Sequence, residues 1–210
     1  MQYILSMFMG LFASIAGIMP PGLLNMTAVK INRNEGHGRA FVFALGAALM
    51  LAFHSFLAVV FAKFLDRHPE IIILLREAGL AVFTGLTLYF FFFAKSSAPK
   101  NKEVKFRSKK SRFFWGLLLS GLNFFTIPFY VFVSLTLASY NLFSFEMSFV
   151  LSFVFGILVG TLFGFYCFVT FFEKMQNRTA FIVKHMNYVI GSVTGLIALI
   201  TLCNVIQYYN

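Results

Sequence analysis

Charge is scarce in this sequence. Asp, Glu, Lys and Arg make up 11% of it, against roughly 25% in soluble globular chains. No Asp or Glu falls in the middle of an apolar run; Glu146 and Glu173 stand at the ends of one. That leaves no carboxylate pair, activated serine or metal set for an embedded hydrolase, so the chain is not expected to be an enzyme. The two cysteines, Cys167 and Cys203, both lie inside apolar runs. They form neither a disulfide framework nor a metal-ligand spacing and are expected as buried small hydrophobes. No metal and no cofactor are expected. The net charge of +10 does not point to nucleic acid, because the basic residues sit in short connectors rather than on a water-soluble basic face. A secretory leader is not expected either: Met1, Gln2 and Tyr3 supply no basic start and no small-residue cleavage site follows, so the N-terminus reads as a retained helix.

What the sequence has is hydrocarbon. Hydrophobic residues make up 60% of it, with 31 phenylalanines. Six stretches reach the roughly 20 apolar residues that a membrane-spanning helix needs: 3–29, 40–62, 71–94, 113–138, 147–172 and 180–206. Backbone groups in lipid must be satisfied within the segment, so runs of this length are helices, and the alternating pattern of a membrane barrel is missing. The expected fold is an all-α membrane protein with six transmembrane helices.

Lysine and arginine orient these spans. The first, third and fifth connectors hold 14 of the 17 basic residues. Those connectors are therefore expected in the cytoplasm and both termini outside, in a multi-pass protein of the plasma (inner) membrane. The connector 95–112, with eight Lys and Arg, reads as a basic tether on anionic headgroups of the bilayer. It divides a single transmembrane domain, 1–210, into halves 1–94 and 113–210. Each half has three spans, an odd number, so the second half must run opposite to the first. That is the layout of inverted-repeat transporters.

The helix that opens each half is interrupted. Gly17, Pro20, Pro21 and Gly22 break the first, and Gly121, Asn123 and Pro128 the fourth. Proline removes an amide donor, and glycine admits close approach. A new half-helix starting at Pro20-Pro21 would aim free amides and a positive dipole end into the protein, a place for a carboxylate that needs no arginine. Such a broken helix exposes backbone to a substrate at mid-membrane. Asn25 follows just beyond the first break. The fourth helix carries a polar face of Ser120, Asn123, Thr126, Tyr130 and Ser134 at helical spacing. His54 lies on a stripe of small residues (Ala40, Ala44, Ala47, Leu51, Ala58 and Ala62) and is expected to face inward. An intramembrane imidazole suits a proton relay. Gly156, Gly160 and Gly164 in the fifth span, and Gly191 and Gly195 in the sixth, read as close-packing faces, within one chain or between two copies as a homodimer.

The stretch from Gly17 to His54 resembles the LysE/RhtB amino-acid exporter superfamily. Pro21 and Gly22 match the start of its first-helix Pro-Gly-Pro motif, with Leu23 in place of the second proline. Gly36, Arg39, Ala44, Leu45, Gly46 and His54 fall at the family spacing. In the fourth helix Asn123 matches the start of an Asn-Pro-Lys landmark, with Phe124 and Phe125 replacing the proline and lysine. The resemblance implies a secondary exporter of amino acids or related small metabolites, proton-coupled. Substrate contacts would come from Gly17, Pro20, Pro21, Gly22, Asn25, Asn123, Thr126, Pro128 and Tyr130, with His54 as proton carrier. Two other readings remain: a non-transporting membrane scaffold or assembly protein, and an intramembrane thiol-redox carrier using Cys167 and Cys203.

Overall fold

The computed structural model describes residues 2–18, 22–93, 108–174 and 186–209, and among these every regular element is a helix. They are α1 (Gln2–Ile18), α2 (Leu23–Glu35), α3 (His37–Asp66), α4 (Pro69–Leu88, continued as a π-helical turn over Tyr89–Phe93), α5 (Lys109–Gly121), α6 (Thr126–Ser139), α7 (Met147–Lys174) and α8 (Met186–Tyr209). The chain forms two compact units, one of 1–66 with 103–174 and one of 67–102 with 175–210.

Among the described residues, α3 and α7 are the helices that are each long and apolar enough to cross a membrane unaided. Two bent pairs, α1 with α2 at 79° and α5 with α6 at 64°, would raise the number of spans to four. Of the six expected runs, two fall on these straight helices and two on the bent pairs; the third and sixth fall on α4 and α8, where the described apolar stretches are Glu77–Phe93 and Thr194–Cys203. The expected connector 95–112 lies outside the described residues as far as 107. Its last residues, Lys109 to Arg112, already belong to α5, whose start is capped by the Ser108 hydroxyl accepting from the Ser111 amide.

The exterior is apolar. Phe12, Phe92, Phe114, Phe132 and Tyr166 are among many large exposed side chains. An apolar surface on this scale calls for lipid around it. Cys167 and Cys203 lie on it too: both are exposed, which corrects the expectation of buried thiols.

The first unit is built on backbone-to-backbone contact at glycine. A Cβ added at Gly10 in α1 would strike the Phe153 carbonyl in α7, and one at Gly156 would strike the Met7 carbonyl. The same reciprocal arrangement joins α5 to α3, where Gly116 meets the Phe43 carbonyl and Gly46 meets the Phe113 carbonyl. In both pairs each glycine faces the carbonyl one turn before the other, and the helices run parallel. Small residues let helices approach this closely in lipid, where dispersion rather than water exclusion drives packing. Gly160 and Gly164 continue the first seam against Leu11, Ser14 and Ile18. The fifth-span glycines therefore pack within the chain.

Short turns link the pieces. Gly36 has φ +86°, a conformation open mainly to glycine. Its amide closes α2 on the Asn32 carbonyl, and its own carbonyl accepts from the Arg39 and Ala40 amides at the start of α3. Asn141, with φ +56°, ends α6, and the next amide, that of Leu142, reaches back to Leu137.

In the second unit α4 and α8 run antiparallel. Gly195 lies against Thr87 and Gly191 against Phe91. The Thr87 hydroxyl is 3.0 Å from that of Thr194. The sixth-span glycines also pack within the chain.

Candidate site where two helix breaks meet

Helix α1 stops at Ile18 and α2 starts at Leu23. Pro20 and Pro21, expected to make this break, lie outside the described residues. Gly22 is extended and gives α2 no side-chain cap. The first amides of any helix lack an intrahelical acceptor, and here the first bond back is from Met26 to the Gly22 carbonyl. Asn25 spans the break: its Nδ2 donates to the Ile18 carbonyl at 2.5 Å, so a buried side chain of α2 satisfies the orphaned end of α1. Asn25 thus holds the corner together, a role its sequence position did not disclose.

The second break falls at Leu122–Phe125, ahead of Pro128. Pro128 is the third residue of α6, in the first turn, where a proline is tolerated, and it is exposed. The bend comes instead from tight turns: Asn123 N bonds to Ser120 O, Phe124 N to Leu122 O and Thr126 N to Asn123 O. These bonds use up amides that a bare helix start would leave free. The Asn123 side chain is half-buried in this turn. Beyond it Thr126, Tyr130 and Ser134 are buried on one face of α6, along with Ser120 of α5, as the polar spacing predicted. Tyr130 sits in an aromatic core with Phe143 and Phe153, its ring edge-on to Phe153 at 6.5 Å. Ser134 donates to the Tyr130 carbonyl at 2.7 Å.

The helix ends beside the two breaks touch. A Cβ on Gly17, one residue before the end of α1, would stand 3.2 Å from the ring of Phe129 in the first turn of α6. Sequence reasoning singled out Gly17 but missed Phe129, which looked like one more lipid-facing aromatic.

His54 is 6% exposed, and its whole expected stripe, Ala40 to Ala62, is buried. On either side of it, α3 meets the broken helix. Gly121 lies against Met50, while Leu51, Ala58 and Val59 pack in one cluster with Tyr130. His54 therefore flanks the second break, and its Nδ1 is buried without a partner. So are Ser120 Oγ, Thr161 Oγ1 and Asn32 Oδ1. Leaving such an atom unpaired costs about 1–3 kcal/mol, so each calls for water or a solute. Thr161 and Asn32 were not singled out in the sequence; a lone hydroxyl beside Gly160 and an amide near a basic connector carry no local signal. Among the described residues no group of three His, Cys, Asp or Glu is placed to hold a metal.

The match to known families settles what kind of protein is built this way. The family model described as LysE type translocator matches residues 15–204. The chain belongs to that family. No curated protein and no solved structure matches it. The LysE family is one of transporters, and with the apolar helices it makes the chain a membrane transport protein of the exporter type, for amino acids or related compounds.

Proposed function

We propose that this LysE-family chain is a secondary exporter working by alternating access between two inverted three-span halves, with its solute site at mid-membrane where the two helix breaks meet. The observation that carries this reading is the contact of Gly17 with Phe129, two residues that each stand beside an interruption, one in each half.

Helix direction supports six spans. Since α3 and α5 run parallel, a chain that crosses with α3 must return before α5 begins, and α4 is the one helix described between them. The antiparallel α8 then returns alongside α4. The duplicated glycine seam, α1 with α7 and α5 with α3, is what two related halves of opposite direction would give.

In this reading the uncapped start of α2 offers amides and a positive dipole end to a carboxylate. Gly17, Pro20, Pro21 and Gly22 are the residues of the first interruption that receive it, and Asn123 and Thr126 contact the solute from the opposite half. Asn25 and Tyr130 hold the walls, and Pro128 fixes the first turn of α6. His54 carries the coupled proton. The protein sits in the plasma membrane with connectors one, three and five in the cytoplasm and both termini outside.

Purified protein in liposomes tests the reading. An imposed pH gradient should drive flux of at least one member of a broad amino-acid and metabolite panel. Folded protein that moves none of them overturns it.

A further inference from the structure

One buried contact lies outside the breaks. Glu35, the last residue of α2, and Arg112, in the first turn of α5, form a two-pronged ion pair. Arg112 Nε donates to Glu35 Oε2 at 2.9 Å, and Nη2 to Oε1. The side chains are 6% and 0% exposed. The helices they join belong to different halves and otherwise barely touch.

Burying such a pair is a poor way to gain stability, because the desolvation of two charges offsets their attraction, whereas removing one partner is costly. A pair of this kind is suited to holding one of two arrangements. Its position says which. On α2 the buried residues Asn25, Ala28 and Asn32 lie at steps of three and four, and Glu35 continues the row. The row begins at the first break and ends at the ion pair. Asn32 Oδ1, one turn before Glu35, is buried and unpartnered, a free acceptor along that row. At the other end of the bundle the ties use neutral acceptors: Ser6 Oγ donates to the Phe149 carbonyl at 2.9 Å, and Lys63 Nζ to the Phe145 carbonyl at 3.1 Å.

We infer that Glu35 and Arg112 are the cytoplasmic gate of the transport path, and that the inner half of the path runs along the Asn25–Asn32 face of α2. The inference rests on the exporter reading for its purpose, but not for its test. With the pair closed, the face is sealed from the side carrying the first and third connectors. Opening separates α2 from α5 and hydrates both charges. An amide-lined passage of this kind suits a small polar or zwitterionic solute.

The test uses full-length protein in inverted membrane vesicles, with Cys167→Ser, Cys203→Ser and a reporter Ala28→Cys. A membrane-impermeant maleimide is applied from the cytoplasmic face. Labelling should be slow in this background, about tenfold or more faster when Glu35→Gln is added, and slow again when Glu35→Arg is combined with Arg112→Glu. Fast labelling with the pair intact, no change on Glu35→Gln, or acceleration that the charge swap fails to reverse each overturns the gate. Should Glu35→Gln not insert, Arg112→Lys, which keeps the charge but loses the fork, is read by the same criteria. Labelling is independent of solute. A failed flux screen with responsive labelling therefore removes the exporter reading alone, and flux with unresponsive labelling removes the gate alone.

Discussion

The two helix breaks of the first unit are built on one template and finished differently. Each follows a helix seated on its partner through a reciprocal glycine pair, Gly10 with Gly156 and Gly116 with Gly46. Two turns beyond Gly156 stands Gly164, packed on Ile18 at the end of α1. Two turns beyond Gly46 stands His54. The helix opposite His54 also ends sooner: α1 continues past Gly10 to Ile18, but α5 continues past Gly116 only to Gly121, about one turn less. The first break is closed by Asn25 on the Ile18 carbonyl. The second is flanked by a histidine nitrogen and a serine hydroxyl with no partner. One break is a tied corner and the other keeps unspent polar groups; on the exporter reading proposed above, the first receives the solute's carboxylate through the start of α2 and the second supplies the facing side-chain contacts and the coupled proton.

The largest effect should come from attacking the shared template. Gly46→Val or Gly10→Val would drive a branched side chain into a neighbouring backbone carbonyl, which cannot move aside as a flexible side chain can. Overpacking typically costs about 1–3 kcal/mol and more where backbone must shift. Both variants should lose folded protein, seen as loss of a monodisperse peak in detergent and a collapsed melting temperature. If one seam tolerates valine and the other does not, the equivalence of the seams fails.

Function should separate the breaks next. Asn123→Ala and His54→Gln alter groups that no described helix needs for closure, so melting should change little. Solute flux in liposomes should fall by about tenfold or more for Asn123→Ala, equivalent to about 1.4 kcal/mol. His54→Gln should leave flux that no longer responds to a pH gradient. Unchanged pH response in His54→Gln removes His54 from coupling. Unchanged flux in Asn123→Ala moves the ligand away from the second break.

Asn25→Ala should show the reverse pattern. It strips the Ile18 carbonyl of its buried donor, a loss of about 1–3 kcal/mol. Thermal unfolding should register it more strongly than the Michaelis constant for the solute. A large rise in that constant with unchanged melting would make Asn25 a ligand instead of a tie.

How far the sequence foretold these contrasts depends on the range of the interaction. The inward face of α3 was legible because period and residue size are local properties: alanines every three or four residues around His54 can face only a close neighbour. The helix interruptions were legible from glycine and proline: the second, at Leu122–Phe125, falls between the Gly121 and Pro128 that marked it, although Pro128 is not what bends the chain. Proline is comfortable in a first turn, and the bend was made by Leu122–Phe125, whose Phe-Phe looks like ordinary apolar helix. The ion pair was hidden altogether. Glu35 and Arg112 lie 77 positions apart, each beside a basic connector, and only the approach of α2 to α5 makes them partners. Asn25 and Asn123 looked alike as polar residues near a break; the carbonyl at the end of α1 distinguishes them, and no local pattern discloses it.

The smallest expected effect bears on the Gly164–His54 contrast itself. A Cβ on Gly164 would come within 3.3 Å of Ile18 Cγ2 and 3.5 Å of Cβ and Cδ1, a contact that an isoleucine can relieve by a few tenths of an ångström. Alanine in place of glycine gains about 0.8–1.0 kcal/mol of helix propensity, which offsets that crowding. Gly164→Ala should therefore shift stability by less than about 1 kcal/mol in either direction and leave flux intact. The step to Gly164→His should not be tolerated, because the last turn of α1 fills the space that the shorter α5 leaves for His54 in the other half. Two-step tolerance measured by melting decides the point. If histidine at 164 folds as well as alanine does, the early end of α5 is not what makes room for His54, and the two breaks differ only in their hydrogen bonds.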